Sequence, residues 1–285
     1  VLHLGIHTMD YRTAFIASRR TSWFDVCCQS LKNQINDNCV LYLDGPVSDK
    51  NISQNLQTYK KHFPQGEVVN LSFENYQPLL AWVFLDNFRN PKSELLFLVE
   101  DDLIFSHNYI EQLRILYDHT QDNDQIISWS CWSPASRGWP LKKLYDSRKT
   151  IVSQHNHIGS MLNIAMLKEI GEEHFEWYVE SFNNNKDSLR DFFKSSVNYA
   201  RDKLNYDHPT EFFGVDGFYI KGIIENAGKL RVSTVYNKLV HMGVGNGKFD
   251  TCMTTESWYN VSQHYKLNYV EDLVEDFEPL DIRIL

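Results

Sequence analysis

Short apolar runs alternate with stretches of helical periodicity along the first hundred residues. Residues 1–6 and 13–18 are branched or apolar and suit strands, with Met9-Asp10-Tyr11-Arg12 as a polar connection. After Arg19-Arg20-Thr21-Ser22, the apolar positions Phe24, Cys27/Cys28, Leu31 and Ile35 recur at helical spacing. They predict a helix to about Ile35, capped by Ser22 or Thr21. Residues 39–43 read as a strand closed by the turn signal Asp44-Gly45-Pro46. A polar helix over 53–61, a strand over 67–71 and a helix over 79–88 follow, the last ending before Asn90-Pro91. Five apolar residues, Leu95-Leu96-Phe97-Leu98-Val99, then run straight into Glu100-Asp101-Asp102. The β-α-β-α-β-α-β order predicts a largely parallel sheet covered on both faces.

The second half is less regular. Ser106 is placed to cap a helix whose Tyr109/Ile110, Leu113 and Leu116/Tyr117 form one stripe, and residues 126–132 read as a strand. Ile158-Gly159-Ser160 is read as opening a helix through Ile170 that Gly171 closes. A helix over 188–204 carries Leu189, Phe192/Phe193, Val197, Ala200 and Leu204 on one face. In Phe212-Phe213-Gly214-Val215-Asp216-Gly217-Phe218 an acid sits between glycines ahead of an apolar helix ending near Gly228. A strand over 230–236 precedes His241 and a loop with three glycines in Gly243-Val244-Gly245-Asn246-Gly247. From Thr251 the tail is aromatic, then acidic, and is expected to pack over the domain with a solvated end.

Composition removes several classes of function. At 285 residues, 42% hydrophobic and 14% aromatic, the chain is globular and long enough for a substantial core. A net charge of −9 without a Lys/Arg stripe excludes an extended nucleic-acid partner. Five cysteines without Cys-x-x-Cys spacing indicate neither a structural zinc site nor a complete disulfide framework. Three Asn-x-Ser sequons, at Asn51, Asn70 and Asn260, do not establish secretion in a chain this rich in Asn. No apolar run approaches the roughly 18 residues of a membrane span. Because Val1 stands first, both a cytoplasmic domain and a lumenal domain whose anchor has been removed are open.

The candidate chemistry gathers at predicted strand ends. Ligands of open α/β sheets sit beyond the carboxyl ends of the strands, where Glu100, Asp101 and Asp102 would stand. Carboxylate oxygens suit Mn²⁺ or Mg²⁺, whereas the alternating His155 and His157 do not by themselves make a metal site. The alternative is a solvated acidic turn. Arg20, at a strand-to-helix turn, suits a diphosphate or is a loop arginine; Asp44 suits a ribose or is a turn former. Asp216 suits a general base or a helix cap, and His241 a cation ligand or the polar end of a strand. Trp129, Trp132 and Trp139 suit sugar faces or the core. The glycines after His241 lack the Gly-Lys-Ser/Thr of a P-loop.

In order, these stretches resemble the GT-A glycosyltransferases, in particular the N-acetylglucosaminyltransferase I group. The matching segments are Arg20-Thr21-Ser22, Leu43-Asp44-Gly45, Val99-Glu100-Asp101-Asp102-Leu103, Ser130-Cys131-Trp132-Ser133, His157-Ile158-Gly159-Ser160-Met161-Leu162 and Val215-Asp216-Gly217-Phe218. The Glu-Asp-Asp form of the Asp-x-Asp motif is the most specific of them. The resemblance implies a GT-A-like, Rossmann-like α/β fold: a mostly parallel central sheet flanked by helices, in one large domain over 1–250. Residues 1–125 would form its nucleotide-sugar-binding half and 126–250 its acceptor-binding half, with 251–285 a C-terminal extension. It further implies a metal-dependent inverting transfer from a nucleotide sugar, most simply UDP-linked, to a hydroxyl of a glycan or glycoprotein. Asp102 and His241 would hold Mn²⁺ or Mg²⁺, Glu100 and Asp101 would support the metal and ribose, and Arg20 and Asp44 would contact the nucleotide. Asp216 would be the base, with Glu211 as runner-up, and Trp132 and His157 would meet the acceptor. The chain departs from the group around the base, and Arg12 and Arg19 are alternative nucleotide contacts. A retaining transferase and a non-catalytic carbohydrate-binding module on the same fold are the alternatives.

Overall fold

A computed structural model describes residues 9–21, 23–132, 140–153, 159–205, 220–241 and 273–278. The first strand, β1 (Tyr11–Ala17), is wholly buried and alternates cleanly: Tyr11, Phe15 and Ala17 enter one core, Ala14 and Ile16 the other. β2 (Cys39–Asp44) and β4 (Leu95–Glu100) divide their side chains in the same way, so each strand is apolar on both sides. That pattern belongs to parallel strands sandwiched between helices. β3 (Glu67–Leu71) lies at the edge and is only partly covered.

On one face pack α1 (Phe24–Leu31), α2 (Lys50–His62) and α4 (Tyr109–Thr120). The other face is covered by α3 (Tyr76–Arg89), α6 (Ile164–Asn184), α7 (Leu189–Leu204) and α8 (Ile220–Asn226). The remaining strands are β5 (Leu103–Phe105), β6 (Ile126–Ser130), β7 (Ile151–Ser153), β8 (Met161–Asn163), β9 (Leu230–Thr234) and β10 (Leu239–His241), with a short α5 (Leu141–Asp146) between β6 and β7. Among the described residues, eight strands form one sheet in the order β3-β2-β1-β4-β8-β6-β9-β7. β7 and β8 run against the other six. The fold is therefore α/β with a mostly parallel central sheet flanked by helices. A small antiparallel ribbon of β5 and β10 stands beside it.

The strand order reverses at β1. The chain first moves outward through β2 and β3, then returns to place β4 on the other side of β1. Such a reversal opens a crevice at the carboxyl ends of the two strands, because their following segments leave in opposite directions.

Several predicted boundaries are corrected. Residues 1–6 lie outside the described residues, as does Ser22, and α1 begins after Trp23 with no side-chain cap. Regular helix there ends at Leu31, four residues short of Ile35. Ser106 does not cap α4 either: its hydroxyl donates to Asn108 Oδ1 at 3.1 Å. The helix expected from Ile158 is instead strand β8 followed by α6, which starts where the Asn163 side chain accepts from the Met166 amide at 3.0 Å. Gly171 does not end α6; a Cβ there would lie 3.0 Å from Phe175 and 3.3 Å from Ile223, so its smallness serves the contact with α8. In the tail, where residues 273–278 are described, Val274 and Phe277 are buried and Glu275, Asp276 and Glu278 are exposed.

Beneath the turn that carries the acids lies an aromatic floor. Phe97 from β4, Phe105 from β5 and Tyr109 from α4 pack with centroids 4.7–5.9 Å apart. Tyr109 donates its hydroxyl to Gly159 O at 2.5 Å. Gly159 has φ +57°, and a Cβ there would collide with Leu239 and come within 3.0 Å of the Tyr109 hydroxyl. Gly159→Ala is expected to lower stability by about 2–4 kcal/mol through overpacking and left-handed strain. A urea melt checks this, and a midpoint equal to wild type would contradict the close packing described.

Candidate functional site

The sheet edge at the strand reversal is where the sequence's acids and an arginine meet. β1 ends at Ala17 and leads through Ser18 and Arg19 to Arg20; β4 ends at Glu100 and turns directly through Asp101 and Asp102 into β5. Because the two strands are parallel and adjacent, with Ile16 opposite Glu100, both segments emerge at the same edge. Arg20 Nη1 donates to Asp102 Oδ2 at 2.5 Å, and Nη2 lies 2.5 Å from Asp101 Oδ1. One guanidinium thus faces two carboxylates.

Burial gives this contact its character. The side chains of Asp101 and Asp102 are 2% and 3% exposed, that of Arg20 31%. Taking a carboxylate out of water disfavours its charge, so burial pushes the Asp101 carboxyl above its ordinary range. Arg20 opposes that shift and Asp102 adds to it, while the Ser18 amide favours the charged form. Arg20 Nη2 lies against Asp101 Oδ1, so charge and hydrogen bonding from the one guanidinium both favour the ionised carboxylate. Glu100, the last strand residue, is half-buried beside them.

Two sets of polar groups position these residues, and neither stands out as chemistry in the sequence. From α1 and the turn after it, Cys27 Sγ donates to Glu100 O at 3.5 Å, Ser30 Oγ accepts from the Phe105 amide at 3.2 Å, and Gln34 donates to Ser106 O at 2.7 Å. These residues fall three and four apart, on one helical face running along the acidic turn. From α2, Asn55 donates to both Ser18 O and Arg20 O at 2.7 Å, pinning the Arg20 loop. Its sequence signal was available: Asn55 is a polar residue between Ile52 and Tyr59 on the helix's buried face.

The other candidates are distributed as follows. Asp44, at the end of β2, is 3% exposed and accepts from the Glu74 amide at 2.8 Å, with the Phe73 and Asn75 amides also supporting its charge. Burial nevertheless raises its pKa. Arg19 shares the edge but is turned to Asp49 Oδ2 at 2.9 Å and Glu74 Oε1 at 3.4 Å. Arg12 lies near the opposite end of β1, buried, paired with Glu67 at 2.6 Å and donating to Asn87 at 3.4 Å. At about 3.3 Å per residue it stands some 16 Å from Ala17, which corrects its reading as an alternative nucleotide contact. His241 closes β10 opposite Leu103, the residue after Asp102, so its backbone adjoins the acidic turn. Trp132 is 2% exposed and part of the core, not an open face for a sugar. His157, Glu211 and Asp216 lie outside the described residues.

The oxygen donors suit a hard divalent cation in kind. Among the described residues no three His, Cys, Asp or Glu side chains converge on one point. Two adjacent carboxylates are, however, the usual protein share of a Mg²⁺-type site that completes its sphere with water and phosphate oxygens. The residues therefore fit such an ion, with Asp102 and Asp101 as its carboxylates. Among the described residues no helix is long and apolar enough to cross a membrane.

No family model and no curated protein matches the chain. Partial similarity extends to solved structures. A Pyrobaculum calidifontis mannosyltransferase in complex with GDP-Man and Mn²⁺ is 9% identical over 58% of this chain and 48% of that one, with a TM-score of 0.41. Staphylococcus aureus TarS is 9% identical over 68% and 40%, with a TM-score of 0.43. Mycobacterium tuberculosis glucosyl-3-phosphoglycerate synthase, in complex with Mn²⁺, UDP and phosphoglyceric acid, is 9% identical over 57% and 58%, with a TM-score of 0.38. The matched part spans about half the length of the first of these chains.

Removing Arg20 leaves two buried, like-charged carboxylates without their cation. Breaking a buried pair from one side costs about 3–5 kcal/mol, and the partial exposure of Arg20 puts Arg20→Ala near the lower figure. Adding Asp101→Asn should restore part of that loss, because it removes one of the opposed charges. Urea melts of the two single variants and the double variant form the cycle; strictly additive effects would contradict a shared electrostatic site.

Proposed function

We propose that the chain is a nucleotide-sugar-dependent glycosyltransferase of the GT-A type that uses Mn²⁺ or Mg²⁺ and inverts the configuration of the transferred sugar. The observation that carries this reading is the meeting of Arg20 with Asp101 and Asp102 at the reversal of strand order. A crevice there, walled by a parallel sheet, is where α/β proteins take nucleotides. A planar guanidinium beside carboxylates supplies complementary groups for a diphosphate and its counter-cation.

Within this reading Arg20 engages the diphosphate through its two-pronged donor face, and Arg19 stands beside it on the same edge. Asp44 contacts the nucleoside, and Glu100 and Asp101 support both the ribose and the cation. Asp102 holds the cation, with His241 as its neighbour across the β5–β10 ribbon. What Mn²⁺ or Mg²⁺ supplies when bound is neutralisation of the charge that develops on the departing nucleotide diphosphate. Asp216, or Glu211 as runner-up, takes the proton of the acceptor hydroxyl. The hydroxyl oxygen forms a bond to the anomeric carbon as the carbon–oxygen bond to the diphosphate breaks, and that electron pair leaves with the nucleotide. The acceptor is a glycan or glycoprotein, with His157 near it. The donor is UDP-linked.

Asp102→Ala should abolish Mn²⁺-dependent donor turnover. Asp216→Asn should keep nucleotide-sugar binding while transfer falls by about 10²–10⁴-fold, the share of a general base. Release of free nucleotide measured over a donor panel checks both, and NMR of the product reads its anomeric configuration. Undiminished turnover in Asp102→Ala would sink the proposal; a retained configuration would sink its inverting step.

A further inference from the structure

We propose that Arg20 and the divalent cation compete for the Asp101–Asp102 pair, so that the free protein binds the cation weakly until a nucleotide diphosphate draws Arg20 away. This rests on the function proposed above and adds an order of events to it. Both carboxylates are nearly sealed from solvent, and the guanidinium paired with them is itself about a third exposed. A cation binding these carboxylates has to contend with the Arg20 charge already on both of them. The guanidinium cannot discharge itself by losing a proton, so it must move for a second positive charge to reach the same oxygens.

The surrounding contacts make that movement one of the side chain. Asn55 holds the backbone at Ser18 O and Arg20 O, each at 2.7 Å, and the α1 contacts at Glu100 O, Phe105 N and Ser106 O hold the opposing turn. Anchor points are thus fixed on both sides of the ion pair, and the flexible stem of Arg20 lies between them. A diphosphate offers the guanidinium oxygens in the two-pronged geometry it now finds in the carboxylates. Its departure uncovers Asp102 for the cation. Because the coupling is thermodynamic, it runs both ways: cation also strengthens nucleotide binding.

Titration of Mn²⁺, followed by loss of the free-ion EPR signal, tests this on the wild-type chain and on Arg20→Gln, Arg20→Lys and Asp102→Asn, with and without UDP. If Arg20 occupies the pair in nine of ten molecules or more, Arg20→Gln should bind Mn²⁺ alone about tenfold more tightly than wild type. UDP should tighten Mn²⁺ binding to wild type by a similar factor and to Arg20→Gln by less. Arg20→Lys, whose ammonium is a point charge without the planar fork, should fall between them and serves if the glutamine variant is unfolded. Asp102→Asn should lose the site in every condition. Equal affinities for wild type, Arg20→Gln and Arg20→Lys, with binding still lost in Asp102→Asn, would overturn the competition while leaving the cation site of the proposed function intact. No Mn²⁺ binding by any form, even with UDP, would overturn both.

Discussion

Two adjacent carboxylates buried at the edge of a sheet are held against their own repulsion, and much of this molecule follows from how that is done. Asp101 and Asp102 are almost wholly excluded from solvent and share one guanidinium. Charges in such a place are tolerated only when paired and well placed. Arg20 can reach them because β1 and β4 are parallel neighbours that end level with each other. That adjacency in turn requires the chain to lay β2 and β3 on one side of β1 and return to the other. The topology that makes the crevice also brings its positive and negative groups together.

Stability and site are linked through the same few contacts. The apolar alternation of β1, β2 and β4 feeds two cores and fixes strand register, and a one-residue slip would turn every side chain to the wrong layer. The aromatic floor of Phe97, Phe105 and Tyr109 holds up the acidic turn from below, and Gly159 lets Leu239 approach it closely. Leu239 lies in the strand that brings His241 opposite Leu103. The edge that carries the candidate site is thereby built on sheet strands and an anchored loop, with Asn55 supplying the anchor.

The first half of the fold was legible because its strands are apolar on both faces and its helices carry unbroken stripes. Leu95 to Val99 running into three acids marks a strand end without further help. The second half was harder. Met161 and Leu162 fall inside the helix expected from Ile158, and it is tertiary pairing with β4 and β6 that makes them a strand; Gly171 looked like a stop although it serves a helix contact. β5 and β10, three residues each, are too short to carry a period. At the site, the acids and Arg20 were found by position, but their direct ion pair was not, because it joins residues 82 apart. Arg12 and Arg20 are chemically alike in the sequence and lie toward opposite ends of β1 in the fold. Cys27, Ser30, Gln34 and Asn55 act through ordinary hydrogen bonds to backbone, which no motif announces. Trp132 shows the reverse limit, since an indole suited to a sugar is equally suited to a core.

The proposed function requires the edge between the ends of β1 and β4 to take a nucleotide diphosphate with a divalent cation. A crystal structure of the chain grown with UDP and Mn²⁺ tests it most directly, using anomalous scattering to locate the metal. One Mn²⁺ on Asp102, the diphosphate beside Arg20 and a broken Arg20–Asp102 contact are expected. UDP bound elsewhere, or Mn²⁺ absent from a crevice in which Arg20 still holds both carboxylates, would contradict it.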